Sequence, residues 1–145
     1  MRFLPLSFLL ALFIVAAPEL RAQDPQSTTH RTIQLDSVEL IQIDVVDTLR
    51  VETWEGSRVM IETTVELIGG KQSILEYFTK EGRWETNDTT QAKTLYLASA
   101  DPERRTIKLK GESVVEQVTV VVYLPKLYEP AGPGAWRKKE EEEEE

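Results

Sequence analysis

Acidic side chains are the residues of this chain best suited to chemistry, because it contains one histidine and no cysteine. A glycosidase-type site needs two carboxylates that face each other across a cleft in unequal environments. The acidic residues that strands or turns could hold in this way are Asp44, Asp47, Glu52, Glu62, Glu66 and Glu116. Glu52 and Glu62 alternate with Arg50 and Arg58 on neighbouring segments, so the predicted role of these two carboxylates is cross-strand ion pairing. We therefore expect no catalytic residue.

The single histidine, His30, lies in the polar, aperiodic segment 23–31, which predicts a flexible spacer. A histidine in a spacer has no fixed geometry, so neither a Ser-His-Asp arrangement nor a histidine metal ligand is expected. The absence of cysteine excludes disulfides, thiolate metal sites and cysteine nucleophiles. The alternating pattern of a calcium-binding loop is also absent. The sequence predicts no cofactor and no metal site.

The charge distribution argues against nucleic acid as a partner. The formal net charge is −8, and six of the acidic residues form the terminal run 140–145. The only dense basic group, 137–139, lies directly beside that run. Phosphate binding draws on clustered Lys and Arg, so no nucleic-acid contact is predicted.

The first 22 residues read as a secretory signal peptide. Arg2 precedes an apolar run over 3–17, and a small residue, Ala22, stands before a plausible cleavage point at Gln23. The run is short for a membrane anchor, which is the alternative interpretation. No second apolar run of spanning length follows, so the mature chain is predicted to be exported, to the periplasm, outer surface or medium, and not to span a membrane.

Residues 32–128 have the pattern of a β-rich domain. Apolar and polar residues alternate over 48–54 and again over 59–67, on either side of a turn at Gly56. This arrangement predicts a hairpin with one apolar and one wet face. Further strands are expected at 38–46, 94–98, 106–110 and 114–124, the last apolar on both faces and therefore central or covered on both sides.

One short helix is predicted over 71–81, opened by a capping box from Ser73 to Glu76 and ended at Gly82. Residues 87–90 are expected to form a loop, and 129–145 a disordered tail. The predicted fold is mainly β, with about seven strands in a mostly antiparallel sheet or sandwich, or in a short β-solenoid-like stack.

Three aromatic residues, Trp54, Trp84 and Tyr96, admit two interpretations. They could form a carbohydrate-binding strip, or they could pack in the core and at strand edges, as aromatic strand residues commonly do. The second interpretation is the favoured one.

Two segments carry a resemblance to a known family. Residues 48–67 (TLRVETWEGSRVMIETTVEL) and 118–125 (VTVVVYLP) resemble the opening of the head-GIN-domain adhesins of Bacteroidetes. The resemblance implies a periplasmic or surface location and a role in adhesion, and it transfers no catalytic residue. Members of that family continue into further β-solenoid rungs, whereas this chain enters AGPGAWRKKEEEEEE, so a minimal member or a truncated fragment is expected.

The leading functional prediction is an exported, non-catalytic, adhesin-like or scaffolding module with a protein or glycan partner at the cell envelope. Its predicted binding surface is the wet face of the hairpin, formed by Arg50, Glu52, Trp54, Arg58 and Glu62. The runner-up is a small periplasmic enzyme that acts through acidic residues. A third alternative is a fragment of a longer solenoid that exposes a sheet edge beyond strand 114–124.

Overall fold

The computed structural model describes residues 22–140. The predicted leader, except for Ala22, and residues 141–145 lie outside the described residues. The described part contains the following elements: β1 (Gln26–Ile33), β2 (Leu40–Asp44), β3 (Thr48–Trp54), β4 (Val59–Ile68), α1 (Gln72–Lys80), β5 (Thr86–Gln91), β6 (Thr94–Ser99), β7 (Lys108–Leu109), β8 (Glu112–Ser113), β9 (Val115–Pro125), β10 (Tyr128–Pro130) and β11 (Ala135–Lys138).

Two mixed sheets make up most of the fold. Sheet A has the strand order β1-β4-β9-β3, and sheet B has the order β10-β11-β2-β6-β5. Apolar side chains from both sheets meet in one core, to which sheet A contributes Val59, Ile61, Val65, Leu67, Val120 and Val122, and sheet B contributes Ile41, Ile43, Leu95 and Leu97. The mainly β prediction is confirmed, and two sheets facing each other across a shared core form a β-sandwich.

The predicted hairpin between 48–54 and 59–67 is wrong, although both strands exist. β9 lies between β3 and β4, parallel to β3 and antiparallel to β4. The physical reason is the apolar character of β9 on both faces, because Val120, Val121 and Val122 are all buried in the central position. The four-residue connection 55–58 is long enough for this crossing, since it spans two strand spacings, or about 10 Å.

The segments predicted to be irregular form strands. The predicted spacer 23–31 overlaps β1, which pairs with β4 over its whole length, from Gln26 opposite Glu66 to Ile33 opposite Val59. Residues 87–90 lie in β5, not in a loop. The predicted tail from 129 contains β11, which joins β10 to β2. Local composition indicated disorder in these segments, but backbone pairing to neighbouring strands orders them.

The predicted helix is confirmed, with α1 at Gln72–Lys80. Its apolar face is half-buried around Ile74 and Phe78, and Leu75 is fully buried. The predicted capping box is wrong, because the N-cap residue is Lys71 and no side-chain cap bond forms. In residues 22–140, no helix has the length and apolar character needed to cross a membrane.

Candidate binding surface

The face of sheet A that points away from the core is a continuous, mostly polar surface, and we call it the outer face. It consists of the residues that alternate with core residues on the four strands. These residues are Gln26, Thr28, His30 and Thr32 on β1, Met60, Glu62, Thr64 and Glu66 on β4, Gln117, Thr119, Val121 and Tyr123 on β9, and Thr48, Arg50, Glu52 and Trp54 on β3.

Four of the five predicted binding residues occupy this face, whereas Arg58 lies in the connection between β3 and β4, and the fold separates the four. Arg50, Glu52 and Trp54 lie on edge strand β3, whereas Glu62 lies on β4 with β9 in between. Val121 stands between Arg50 and Glu62 in the same cross-strand row. Arg50, Glu52, Trp54 and Glu62 are therefore brought onto one surface without forming one contact cluster.

The predicted cross-strand pairing of Glu52 and Glu62 with Arg50 and Arg58 is corrected accordingly. Glu52 forms an ion pair with Arg50 of the same strand, with 2.8 Å between Oε1 and Nε. Glu62 instead pairs with His30, at 2.8 Å between Nε2 and Oε2. His30 is thus a strand residue with a defined partner and not part of a spacer. Both pairs are solvent-exposed, and such pairs contribute little stability.

Trp54 closes the turn that follows β3. Its Nε1 donates to the Arg58 carbonyl at 2.9 Å, and its indole ring folds back over Gly56. An added Cβ at Gly56 would stand 2.3 Å from Trp54 Cζ2, so the glycine is needed for this close approach and not for a positive φ. Arg58 thus reaches this site through its backbone, and its side chain remains exposed.

A row of four threonines, which was not predicted from the sequence, crosses the outer face. Thr28 stands opposite Thr64, Thr64 opposite Thr119, and Thr119 opposite Thr48. The Oγ1 atoms of Thr28 and Thr64 are 3.1 Å apart, within hydrogen-bond distance. Each threonine sits at an outward position of its strand pattern, but the row depends on the register of four strands, which no local pattern specifies.

The aromatic residues do not form the carbohydrate strip considered above. Trp54 lies beside Tyr123 on the outer face, with ring centroids 6.2 Å apart. Trp84 is buried in the core, and Tyr96 is exposed on β6 of the opposite sheet. The three residues therefore share no surface.

Two of the candidate carboxylates, Asp47 and Glu116, meet at one end of the sandwich in a paired charge cluster. Arg104 donates to Asp47 through Nη2 and, at 3.1 Å, through Nη1. Its Nε also lies 3.8 Å from Glu116 Oε1. All three side chains are between 10% and 14% exposed. The hydrogen bond to Asp47, with the surrounding carboxylates, raises the pKa of Arg104 above its ordinary value despite burial.

Glu116 is held in its charged form. Burial raises the pKa of this carboxyl, but hydrogen bonds from Arg83 and Trp84, together with the charges of Arg83 and Arg104, bring it below the ordinary value of 4.5. A general acid needs the opposite shift. The cluster therefore has the chemistry of a structural ion-pair network. Within residues 22–140, no group of three His, Cys, Asp or Glu side chains is placed to hold a metal ion.

No protein-family model, no curated protein and no solved structure matches this chain.

Proposed function

We propose that the chain is an exported, non-catalytic β-sandwich module that binds a glycan or protein of the cell envelope through the outer face of sheet A. The observation that carries this proposal is the threonine row Thr28, Thr64, Thr119 and Thr48, which continues across all four strands without an interrupting charge. Hydroxyl groups donate and accept hydrogen bonds, so a regular row of them suits a polar partner that lies flat on the sheet.

The size of the surface favours a small contact. Four strands about 4.8 Å apart and six residue rises of about 3.3 Å give a projected area of roughly 300 Å². A standard stable protein interface buries about 800 Å² on each partner. The outer face alone therefore suits a glycan or a low-affinity protein contact, as expected for adhesion that depends on many copies.

Charged side chains on both sides of the threonine row can fix the orientation of a bound partner. The side chains of Arg50 and Glu52 on one side and of His30 and Glu62 on the other are between 29% and 62% exposed. Tyr123 and Trp54 add an aromatic pair at this face. The paired state of Asp47 and Glu116 favours this binding role over the acidic-enzyme alternative, because neither carboxylate is left to act on a substrate.

Binding of the purified chain to envelope preparations of its native host tests the proposal. Thr119→Lys and Arg50→Glu place bulk and charge on the outer face, and each should lower the bound fraction by about tenfold or more, as loss of one or two polar contacts does. The matched control is Thr89→Lys, which makes the same change on the exposed edge strand β5 of sheet B. Equal binding by all variants would contradict the proposal.

Two further arms identify the partner class and the location. Periodate treatment of the envelope should abolish binding to a glycan, and protease treatment should abolish binding to a protein. Fractionation of the host with mass determination of the native chain tests export, and recovery of the uncleaved chain from the cytoplasm would contradict it.

A further inference from the structure

A cleft of about 430 Å³ opens on the side of the sandwich where β1 and β5 are the edge strands. One wall is the inner side of β1 and β4, and the other is formed by the end of α1 and the start of β5. Its volume lies within the range of about 300–1,000 Å³ that is typical of small-molecule sites. None of the outer-face threonines lines it, and the one outer-face residue in its lining is His30 on edge strand β1, so the cleft is distinct from the threonine row.

The cleft is where the core of the described chain becomes polar. The buried polar residues of that part are Thr63 and Thr86, and both line the cleft. Thr63 interrupts an inward series on β4 that is otherwise apolar, from Ile61 to Val65. Valine has nearly the same shape and would suit a dry core better, so packing alone does not account for these hydroxyls.

Hydroxyl and apolar groups line the cleft together. Ser27 and Thr29 place small hydroxyl side chains at inward positions of β1, where a closed sandwich would carry apolar ones. Ile61, Val65 and Trp84 supply the apolar part of the lining. A ligand that fits must therefore carry several hydrogen-bonding groups and a non-polar face of its own.

The charges at the mouth are largely compensated. Arg31 crosses from β1 to β5, where Nη1 donates to the Thr86 carbonyl at 2.6 Å and Nη2 pairs with Asp88. His30 is paired with Glu62 on the other face. Glu85 adds a carboxylate to the lining, which disfavours an anion. A neutral ligand avoids desolvation of an unpaired charge.

We infer that this cleft binds a neutral, polyhydroxylated ligand of monosaccharide size. The hydroxyl edge of the sugar would meet Thr63, Thr86 and Ser27, and its C–H face would contact Ile61 and Val65. Hydroxyls on both partners can donate and accept, which allows such a ring to form hydrogen bonds with the threonines. This site does not depend on the envelope-binding role of the outer face.

The test is titration of the full, isotope-labelled chain with methyl glucoside, methyl galactoside, methyl mannoside and methyl N-acetylglucosaminide, followed by amide NMR. At least one neutral glycoside should give saturable shifts that cluster at 27–31, 61–65 and 84–87. Thr63→Val and Thr86→Val should each weaken binding by about tenfold, because each removes a hydrogen bond and keeps the side-chain volume.

Thr89→Val is the matched control, since it makes the same change at an exposed position of β5 that lines neither the cleft nor the threonine row, and it should leave the affinity unchanged. Ser27→Ala on edge strand β1 gives a second loss-of-binding variant if the core variants do not fold. Glucuronate should bind no more tightly than the weakest-binding neutral glycoside. The inference is overturned if no neutral glycoside saturates, if the shifts lie elsewhere, if glucuronate binds best, or if Thr63→Val binds like the wild type.

Discussion

Arg83 holds Glu116 through two hydrogen bonds, from Nε to Oε1 at 2.8 Å and from Nη2 to Oε2 at 3.0 Å. Trp84 Nε1 donates to the same Oε1 at 2.8 Å, and the guanidinium of Arg83 lies over the Phe78 ring at 4.7 Å. The side chains of the ion pair are 9% and 14% exposed. This bidentate pair joins the loop after α1 to the start of β9, and so ties the helix to the central strand of sheet A.

Glu116→Gln should lower the free energy of unfolding by about 3 kcal/mol, because it leaves the buried positive charges of Arg83 and Arg104 without their carboxylate partner. Urea unfolding followed by circular dichroism measures the change. Glu52→Gln is the control, since the exposed pair of Glu52 with Arg50 should contribute no more than about 1 kcal/mol. Similar losses for both variants would contradict a structural role for the buried pair.

The free energy of unfolding should fall in acid, because Glu116 becomes protonated. A carboxyl whose pKa is lower in the folded than in the unfolded chain stabilises the fold above its unfolded pKa. That contribution is lost as the pH falls from about 4.5 through the lower pKa of folded Glu116. The difference in unfolding free energy between the wild type and Glu116→Gln, measured from pH 7 to pH 2, should therefore narrow below about pH 4.5. A difference independent of pH would contradict the lowered pKa.

Gly56→Ala should displace the indole of Trp54, because the new Cβ would stand 2.3 Å from Cζ2. The shift breaks the bond from Trp54 Nε1 to the Arg58 carbonyl, and a cost of about 1–3 kcal/mol is expected from overpacking. The chemical shift of the Trp54 indole proton reports the break directly. Ser57→Ala, in the same turn, should leave that resonance in place.

Val121→Ala should cost about 2 kcal/mol, although Val121 points to the outer face, because its side chain is only 3% exposed there. Val115→Ala on the same strand removes the same atoms from a residue that is 52% exposed, and it should cost less than about 1 kcal/mol. Thermal or urea unfolding of the two variants measures the difference. A larger loss for Val121→Ala than for Val115→Ala indicates that the Val121 side chain is covered on the outer face, and equal losses would contradict its burial.

Tyr128→Phe should destabilise the chain by about 1–2 kcal/mol. The Tyr128 hydroxyl donates to the Val38 carbonyl at 2.6 Å, and its loss leaves that buried acceptor without this donor. Burial raises the pKa of the Tyr128 phenol above its ordinary value of 10.0, so an alkaline absorbance titration should show this phenol ionising above pH 10. Tyr96→Phe, at a position 41% exposed, is the neutral control.

Local pattern predicted most strands and the helix. The alternation over β3 and β4, the strand at β6 and the apolar run of β9 all lie where the sequence places them, because burial of one face imposes a period of two residues. Strands β1 and β5 were not predicted. Both are edge strands rich in threonine and polar residues, and an edge strand with little buried area carries no apolar period.

The sequence predicted several residues of the candidate surface, but it did not predict how those residues are arranged. Arg50, Glu52 and Trp54 share a face because they alternate on one strand, and this holds for any partner strand. The row of Thr28, Thr64, Thr119 and Thr48 could not be predicted, since it needs the register of β1, β4, β9 and β3 together. Thr63 and Thr86 of the cleft stand out in the sequence only weakly, as polar residues at positions where a buried strand face is normally apolar.

The sequence by itself determined that this chain is mainly β, that one short helix interrupts the strands, and that β9 takes a central position. These are consequences of side-chain burial, which depends on local spacing. Only the tertiary structure decided that β9 separates β3 from β4, that β1 and β11 are ordered, and that Asp47 and Glu116 share Arg104. Strand partners and charge pairs are set by contacts between residues far apart in the chain, where one backbone hydrogen bond resembles another and only the packing of the whole core distinguishes them.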